Sequence, residues 1–465
     1  MLRRWELLMD DPDETQRLLS RFRRRRSTPA QLIALSFAVT IALGTVLLAL
    51  PAAHAPGHPL GVLDALFTAT SAVCVTGLVV VQTGSAFSLF GKLVIMLLIQ
   101  AGGLGILTLG TLVALASGRR IGFRERLGLQ AQVNIGQVGG IVKLVRRIFV
   151  VVFGVEFVGA LLLYLPFARI EGLGRGAFFA VFHSISAFNN AGFGFYNDSL
   201  VRFVRDPMVN VTVMLLIILG GLGFMVIINV ATHFQEGRRV PLTLHSKVVL
   251  AGTAILIAVG TVVILAFEWS NPATLGHLPF PDKLMASLFQ SVTPRTAGFN
   301  TLDISRLRPA TLLFTMLLMF VGGNPGSTAG GIKTVTFLVL VGSAWSVSRG
   351  HGELTLFERR VASSTAVKAS AIALLGMLLV GAAVTGLTLT DPHKSLLQLG
   401  FESISAFGTV GLSTGITAAL SAAGKLIIVA LMYLGRLGPL TLALALMERQ
   451  PERRIKYPED DVVIG

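Results

Sequence analysis

Four glycines, Gly77, Gly192, Gly298 and Gly411, each close a stretch of the same kind. The stretches read FTATSAVCVTGL (67–78), FHSISAFNNAGF (182–193), LFQSVTPRTAGF (288–299) and FESISAFGTVGL (401–412), with the glycines 115, 106 and 113 residues apart. Their usable chemistry is main-chain oxygen. Glycine accepts, without a Cβ penalty, the backbone angles that aim consecutive carbonyls at one axis, and a ring of carbonyls can replace a cation's hydration shell. Upstream hydroxyls, at Ser71, Ser186, Ser405 and Ser291 or Thr293, can satisfy backbone groups freed where a helix ends. The expected cation filter is therefore Val75, Thr76 and Gly77; Asn190, Ala191 and Gly192; Thr296, Ala297 and Gly298; and Thr409, Val410 and Gly411. The following residues (Leu78, Phe193, Phe299, Leu412) are apolar, which implies a short filter favouring a large, easily dehydrated cation. One such turn is usually just a turn; four in matching positions make a pattern.

The chain around them is built for lipid. Of 465 residues, 53% are hydrophobic and 14% charged, against about a quarter charged in soluble domains, and mean hydropathy is +0.74. The net charge of +15 does not mark a nucleic-acid surface, because 25 of the 39 Lys and Arg fall in segments 1–30, 117–147, 235–247, 349–360 and 448–465. Every second connection is thus basic, the pattern of cytoplasmic segments. Cys74 is the single cysteine, so no disulfide forms within the chain, and a small apolar filler is its simplest role.

Apolar segments come in pairs: 31–50 and 89–116, 143–166 and 207–233, 246–268 and 308–347 (interrupted), 364–390 and 423–447. Between the members of each pair lies a stretch too short to span, 62–78, 175–193, 282–299 and 394–412. The expected fold is an all-α integral membrane protein. Four tandem helix–re-entrant loop–helix repeats (31–116, 143–233, 246–347, 364–447) would surround one pore, with eight spanning helices and four pore half-helices. A cytoplasmic arm (1–30) and tail (448–465) complete it. Each half-helix aims its C-terminal carbonyls, the negative end of its dipole, at mid-membrane. Ala53-His54-Ala55 resembles a signal cleavage site, but the apolar run before it exceeds a signal core of roughly 7–15 residues, and cleavage would orphan the first repeat.

Small-residue breaks follow each filter: Gly102 to Gly105, Gly220 to Gly223, Gly322 to Gly326 and Gly435 to Pro439. The first two read as close helix packing. The third begins GGNPGSTAGGIK (322–333), a composition that breaks a helix and suits a flexible gating loop of Gly326, Ser327, Thr328, Ala329, Gly330, Gly331 and Lys333. It is not a phosphate loop, since Ile332 separates Gly331 from Lys333. Arg436 stands in the register of Gly103, Gly221 and Gly323. It is expected to bond the loop's carbonyls, to form a positive barrier, or to pair with a buried acid such as Glu402. Arg295 is expected to point away from the filter, toward Glu402 or Asp64.

The filter stretches, GSTAGGIKT (326–334) and YLGRLGPLT (433–441) resemble the superfamily of potassium transporters that includes bacterial Trk and Ktr and plant high-affinity types, over Pro29 to about Glu448. The absence of two extra helices makes the chain most similar to the Ktr-type membrane subunit. The resemblance implies a homodimer with one pore per subunit, in the cytoplasmic membrane. It also implies a cytoplasmic nucleotide-binding ring of the RCK type acting on the 326–334 loop, which gates together with Arg436. K+ would be the transported ion, bound at the filter only, with Na+ a candidate activator; no cofactor belongs to this chain, and any nucleotide sits on the partner. Glycine at all four filter positions points to potassium over sodium. A coupled secondary transporter is the alternative, but such proteins aim half-helix N-termini at the substrate. An enzyme lacks support: there is no His-Glu-x-x-His or Gly-x-Ser-x-Gly, and His183 has no obvious partner.

Overall fold

The computed structural model describes residues 29–105, 141–236, 240–350 and 353–438. The N-terminal arm, most of the basic 117–147 connection and the C-terminal tail lie outside these residues. Fourteen main helices are described: α1 Pro29–Ala49, α2 Val62–Val73, α3 Leu89–Leu104, α4 Ile141–Glu171, α5 Leu173–Phe188, α6 Pro207–Leu222, α7 Phe224–Glu236, α8 Leu244–Glu268, α9 Phe280–Val292, α10 Pro309–Phe320, α11 Thr334–Ser348, α12 Ser363–Thr390, α13 Leu396–Gly408 and α14 Ala422–Leu437. A two-stranded hairpin, Thr355–Leu356 with Arg359–Arg360, joins α11 to α12.

Polar caps set where helices begin. Ser88 accepts from Gly91 N at 3.2 Å, Asp206 from Val209 N at 3.1 Å, and Ser421 from Gly424 N at 3.0 Å. Ser395 and Gln398 form a capping box at α13, satisfying two of the amide donors a helix start leaves open.

Among the described residues, α4, α8, α12 and the Ala30–Ala49 part of α1 are long and apolar enough to cross a membrane, and the α6–α7 pair makes a fifth if counted as one bent span. The expected unbroken helix over 207–233 is corrected by that bend of 101°. Gly223, at φ 95°, cannot continue the helix. Gly105 (φ 83°) and Gly438 (φ 82°) end α3 and α14 in the same way, so the small-residue breaks stop helices as well as pack them. The expected spans 89–116 and 423–447 run on into residues outside those described. In the third unit the interruption falls at 321–333, between α10 and α11.

Packing closes on itself. Each short helix packs against the helix preceding it, α2 on α1, α5 on α4, α9 on α8 and α13 on α12. Each also meets the outer helix of the unit before: α3 packs on α5, α6 on α9, α10 on α13, and α14 returns to α2. The contacts within units are main-chain close. Gly102 lies on the Val73 carbonyl, Gly220 on Phe188 O and Gly435 on Phe407 O, with no room for a Cβ at any of them. In lipid, where apolar burial does not drive helices together, such close approach through small residues is a principal source of association.

Gly220→Ala is therefore expected to destabilise the detergent-solubilised protein by about 1–3 kcal/mol. Gly154→Ala, whose Cβ would meet nothing within 4 Å, is expected to be neutral or stabilising by up to about 1 kcal/mol. Equal thermal midpoints for the two variants would show that the Gly220 crossing tolerates a side chain.

Candidate functional site

At the C-terminal end of each short helix the chain turns through two left-handed residues. The first are Val75 (φ 57°), Asn190 (58°), Thr296 (69°) and Thr409 (49°); the second, two residues on, are Gly77 (91°), Gly192 (69°), Gly298 (78°) and Gly411 (90°). Left-handed residues alternating with ordinary ones turn successive carbonyls to the same side. Three of the four leading positions carry β-branched residues, for which positive φ is a genuine outlier, and strain of this kind clusters at functional sites. Sequence reasoning singled out these residues but missed their backbone conformation, since Val and Thr signal extended chain.

The four turns meet around one axis. A Cβ on Gly77 would lie 2.5 Å from Ala191 O; on Gly192, 2.9 Å from Ala297 O; on Gly298, 2.7 Å from Val410 O. On Gly411 it would strike Thr76 O, which closes the ring. Serine side chains brace two turns, with Gly77 N donating to Ser71 Oγ and Gly411 N to Ser405 Oγ, both at 3.1 Å. In the third turn Thr293 does the bracing, donating to Phe299 O at 2.5 Å, while Ser291 donates elsewhere, to Ile257 O. The hydroxyls of Thr76, Thr296 and Thr409 are buried with no protein partner, which is uncommon in folded interiors.

Segment 321–333 lies against this ring. Gly330 abuts the Thr409 side chain, and a Cβ on Gly331 would be 3.2 Å from Gly408 Cα. Thr328 N and Oγ1 donate to Gly220 O at 3.2 and 3.0 Å. Asn324 N donates to Gly221 O at 3.0 Å, and Phe224 N to Gly326 O at 2.9 Å. Lys333 turns back on its own loop, donating to Ala329 O at 2.7 Å. Arg436 donates to Thr328 O in the loop and to Gly102 O at the end of α3. Of the roles expected for Arg436, bonding to the loop's carbonyls matches these contacts, and pairing with Glu402 is corrected: Glu402 accepts from Ser413, Thr414 N and Thr417, at 2.5, 3.1 and 2.9 Å. A hydroxyl-rich segment just after the fourth turn satisfies that carboxyl without a cation.

Arg295 also departs from expectation. Its Nη2 donates to Thr253 Oγ1 at 3.2 Å and Thr334 Oγ1 at 3.1 Å, and neither Glu402 nor Asp64 is its partner. Asp64 pairs with Lys425 at 3.3 Å. Thr334 in turn donates to Gly322 O at 2.7 Å, so Arg295 ties the third turn to the base of the loop. Cys74 is a free, buried thiol, and His183 donates from Nδ1 to Phe179 O at 2.8 Å among aromatic rings.

Three buried acids went unnoticed in the sequence; one, Glu268 at the end of α8, accepts from Asn271, Thr274, Thr311 and Arg308 N. Glu156 in α4 accepts from Gln100 and Asn189; its signal was a lone acid in an apolar run (FGVEFVG), a functional candidate by default. Asp391, just past α12, holds the start of α14. Burial acts to raise its pKa, but hydrogen bonds from Ser421 and Thr390 outweigh it and keep the carboxyl below the usual range.

A bundle of apolar helices closed around a ring of glycine turns fits a multi-pass membrane protein. The chain matches the TrkH family of cation transport proteins over residues 18–456 and belongs to it. It is 43% identical to Ktr system potassium uptake protein B of Bacillus subtilis (strain 168), over 95% of this chain and 97% of that one. It is 42% identical to the Vibrio alginolyticus protein of the same name, over 94% of each. It is 37% identical to the potassium/sodium uptake protein NtpJ of Enterococcus hirae, over 95% and 98%. The crystal structure of the potassium transporter TrkH from Vibrio parahaemolyticus shares the fold, with a TM-score of 0.70 and 19% identity over 91% of this chain and 86% of that one.

Thr328→Val removes the hydroxyl that reaches Gly220 O and keeps the backbone contact. It is expected to cost about 1–2 kcal/mol and to speed amide exchange across 322–333 selectively. Unchanged exchange in that segment would show that the hydroxyl does not hold the loop.

Proposed function

We propose that this protein takes up potassium across the cytoplasmic membrane through a channel-like pore, with both termini cytoplasmic, eight crossings and four half-helices. The observation that carries the reading is the closed ring in which each filter glycine meets the carbonyl preceding the next unit's glycine. Carbonyls of 75–77, 190–192, 296–298 and 409–411 are the proposed ligands, one dehydrated cation being held where the four half-helix C-termini point. The potassium uptake named for the relatives, at 43% and 42% identity, supports the choice of ion.

The segment Gly326–Gly331 with Lys333 is the proposed gate. Arg436 holds it closed by tying Thr328 O to α3. Opening then requires those two bonds to be exchanged for others, which a cytoplasmic partner acting on the loop can drive. We assign that role to an RCK-type nucleotide-binding ring, beneath a homodimer with one pore per subunit. Na+ is a candidate activator. The chain has no cofactor and no catalytic residue in this reading.

Production of the protein in a bacterium lacking its own potassium uptake is expected to restore growth at limiting potassium; well-expressed protein without rescue counts against the proposal. Gly77→Ser adds a side chain at φ 91° where a Cβ already lies 2.5 Å from Ala191 O. Strain of about 1–2 kcal/mol in one quarter of the ring is expected to cut preference for potassium over sodium roughly ten-fold in liposome flux. An unchanged ratio contradicts the assignment of these carbonyls.

A further inference from the structure

Two of the four units cross their helices in the same way. Ser184 Oγ in α5 donates to Glu156 O at 2.6 Å, and Ser291 Oγ in α9 donates to Ile257 O at 2.8 Å. Three residues on, Gly159 and Gly260 take the same serines so closely that neither has room for a Cβ. Glu156 and Ile257 thus accept the same crossing contact, although Ser184 lies eight residues before its turn's glycine and Ser291 seven. The third unit makes this crossing with an isoleucine, so the crossing does not require an acid. A buried carboxyl in a membrane helix is costly, and at 4% exposure Glu156 has no cationic partner among the described residues.

What Glu156 reaches is the second turn. Its carboxylate accepts from Gln100 Nε2 at 3.1 and 3.2 Å and from Asn189 Nδ2 at 2.9 Å. Gln100 Oε1 accepts from the same Asn189 nitrogen at 2.9 Å, and the Asn189 side chain is pressed against Gly103. Asn189 ends α5 and directly precedes Asn190, the left-handed residue of the turn. The amide of Asn189 is thus clamped from α3 and α4, and its main chain leads straight into the second set of carbonyls.

We infer that Glu156 is a positioning residue for ion preference: through Asn189 it fixes the second turn, and so one quarter of the coordinating ring. This rests on the filter reading proposed above. Glu156→Ile, which installs the third unit's residue, removes every acceptor from Asn189 at that position. Glu156→Gln keeps one oxygen acceptor at nearly the same volume.

The test uses the full chain in liposomes, measuring potassium against sodium flux. Glu156→Ile is expected to lower the ratio roughly five-fold, the scale of one buried hydrogen bond, and Glu156→Gln to lower it less. Asn189→Ala should lower it too, and Glu156→Gln should then add nothing further, because both act through one amide. A merely structural loss would reduce total flux while leaving the ratio alone. If Glu156→Ile yields no folded protein, the Glu156→Gln and Asn189→Ala pair decides the matter. Additive effects, or a wild-type ratio in every Glu156 variant that folds, overturn the inference. Gly192→Ser serves as the control: if it changes the ratio and the Glu156 variants do not, only the role of Glu156 falls, whereas if it too leaves the ratio unchanged, the filter reading falls first.

Discussion

Main chain meets main chain at four points with no space between for a side chain, and the rest of the architecture follows from keeping it so. Each glycine of the ring has a positive φ, and the carbonyl preceding the next unit's glycine occupies the place its Cβ would take. A methyl group at any one position would push its turn off the axis and open the ring there. The leading residues of the turns add to the cost, because Val75, Thr296 and Thr409 hold a conformation that disfavours β-branched side chains by about 1–2 kcal/mol each. Such geometry persists only where its surroundings over-determine it. Those surroundings are the serine and threonine braces within the turns and the dense helix contacts behind them.

The same close approach recurs one layer out. Gly102, Gly220 and Gly435 press onto carbonyls at or beside the last residues of α2, α5 and α13 (Val73, Phe188 and Phe407), which brings each outer helix near enough for its end to influence a turn. In the third unit the corresponding glycine, Gly322, meets Gly330 O of its own loop. The segment 321–333 has taken the place that a continuous helix would fill. It pairs with itself through Gly322 N and Ile332 O at 2.7 Å, and with the second unit through Gly220 and Gly221. Further ties come from Phe224 N and Thr334 Oγ1, and from Arg436 of the fourth unit. A segment held by hydrogen bonds to other units, from its main chain, from Thr328 and Asn324 and from one arginine, can be released without unfolding any helix.

The backbone of the four turns is nearly repeated; the chemistry behind them is not. The residue just before each left-handed position is Cys74, Asn189, Arg295 or Gly408. Cys74 is a small buried filler, Asn189 is held by Gln100 and Glu156, Arg295 reaches Thr334 at the loop's base, and Gly408 lets Gly331 come close. A shared steric requirement keeps the backbones alike, and side chains outside the ring are free to differ. Ion coordination, as proposed, is the shared task, and control of loop and preference is distributed among the differences.

Much of this was legible from residue order. The four stretches are visible because glycine and its upstream hydroxyls are local requirements of a turn, and segment lengths reveal which helices are too short to span. The interruption at 322–333 was legible too, since five glycines and a proline cannot continue a helix. Partners of buried charges were not. Arg295 and Glu402 were matched in the sequence by sign, but the fold satisfies both with hydroxyls and main-chain groups; for Arg436 the loop's carbonyls were among the expected partners and Thr328 O is one, while its bond to Gly102 O was not foreseen. The bend at Gly223 was likewise hidden, because GGLG reads the same whether a helix packs through it or ends in it. Local backbone preference is written in the chain itself; which carbonyl faces which guanidinium depends on units a hundred residues apart being brought around one axis, and only tertiary packing decides that.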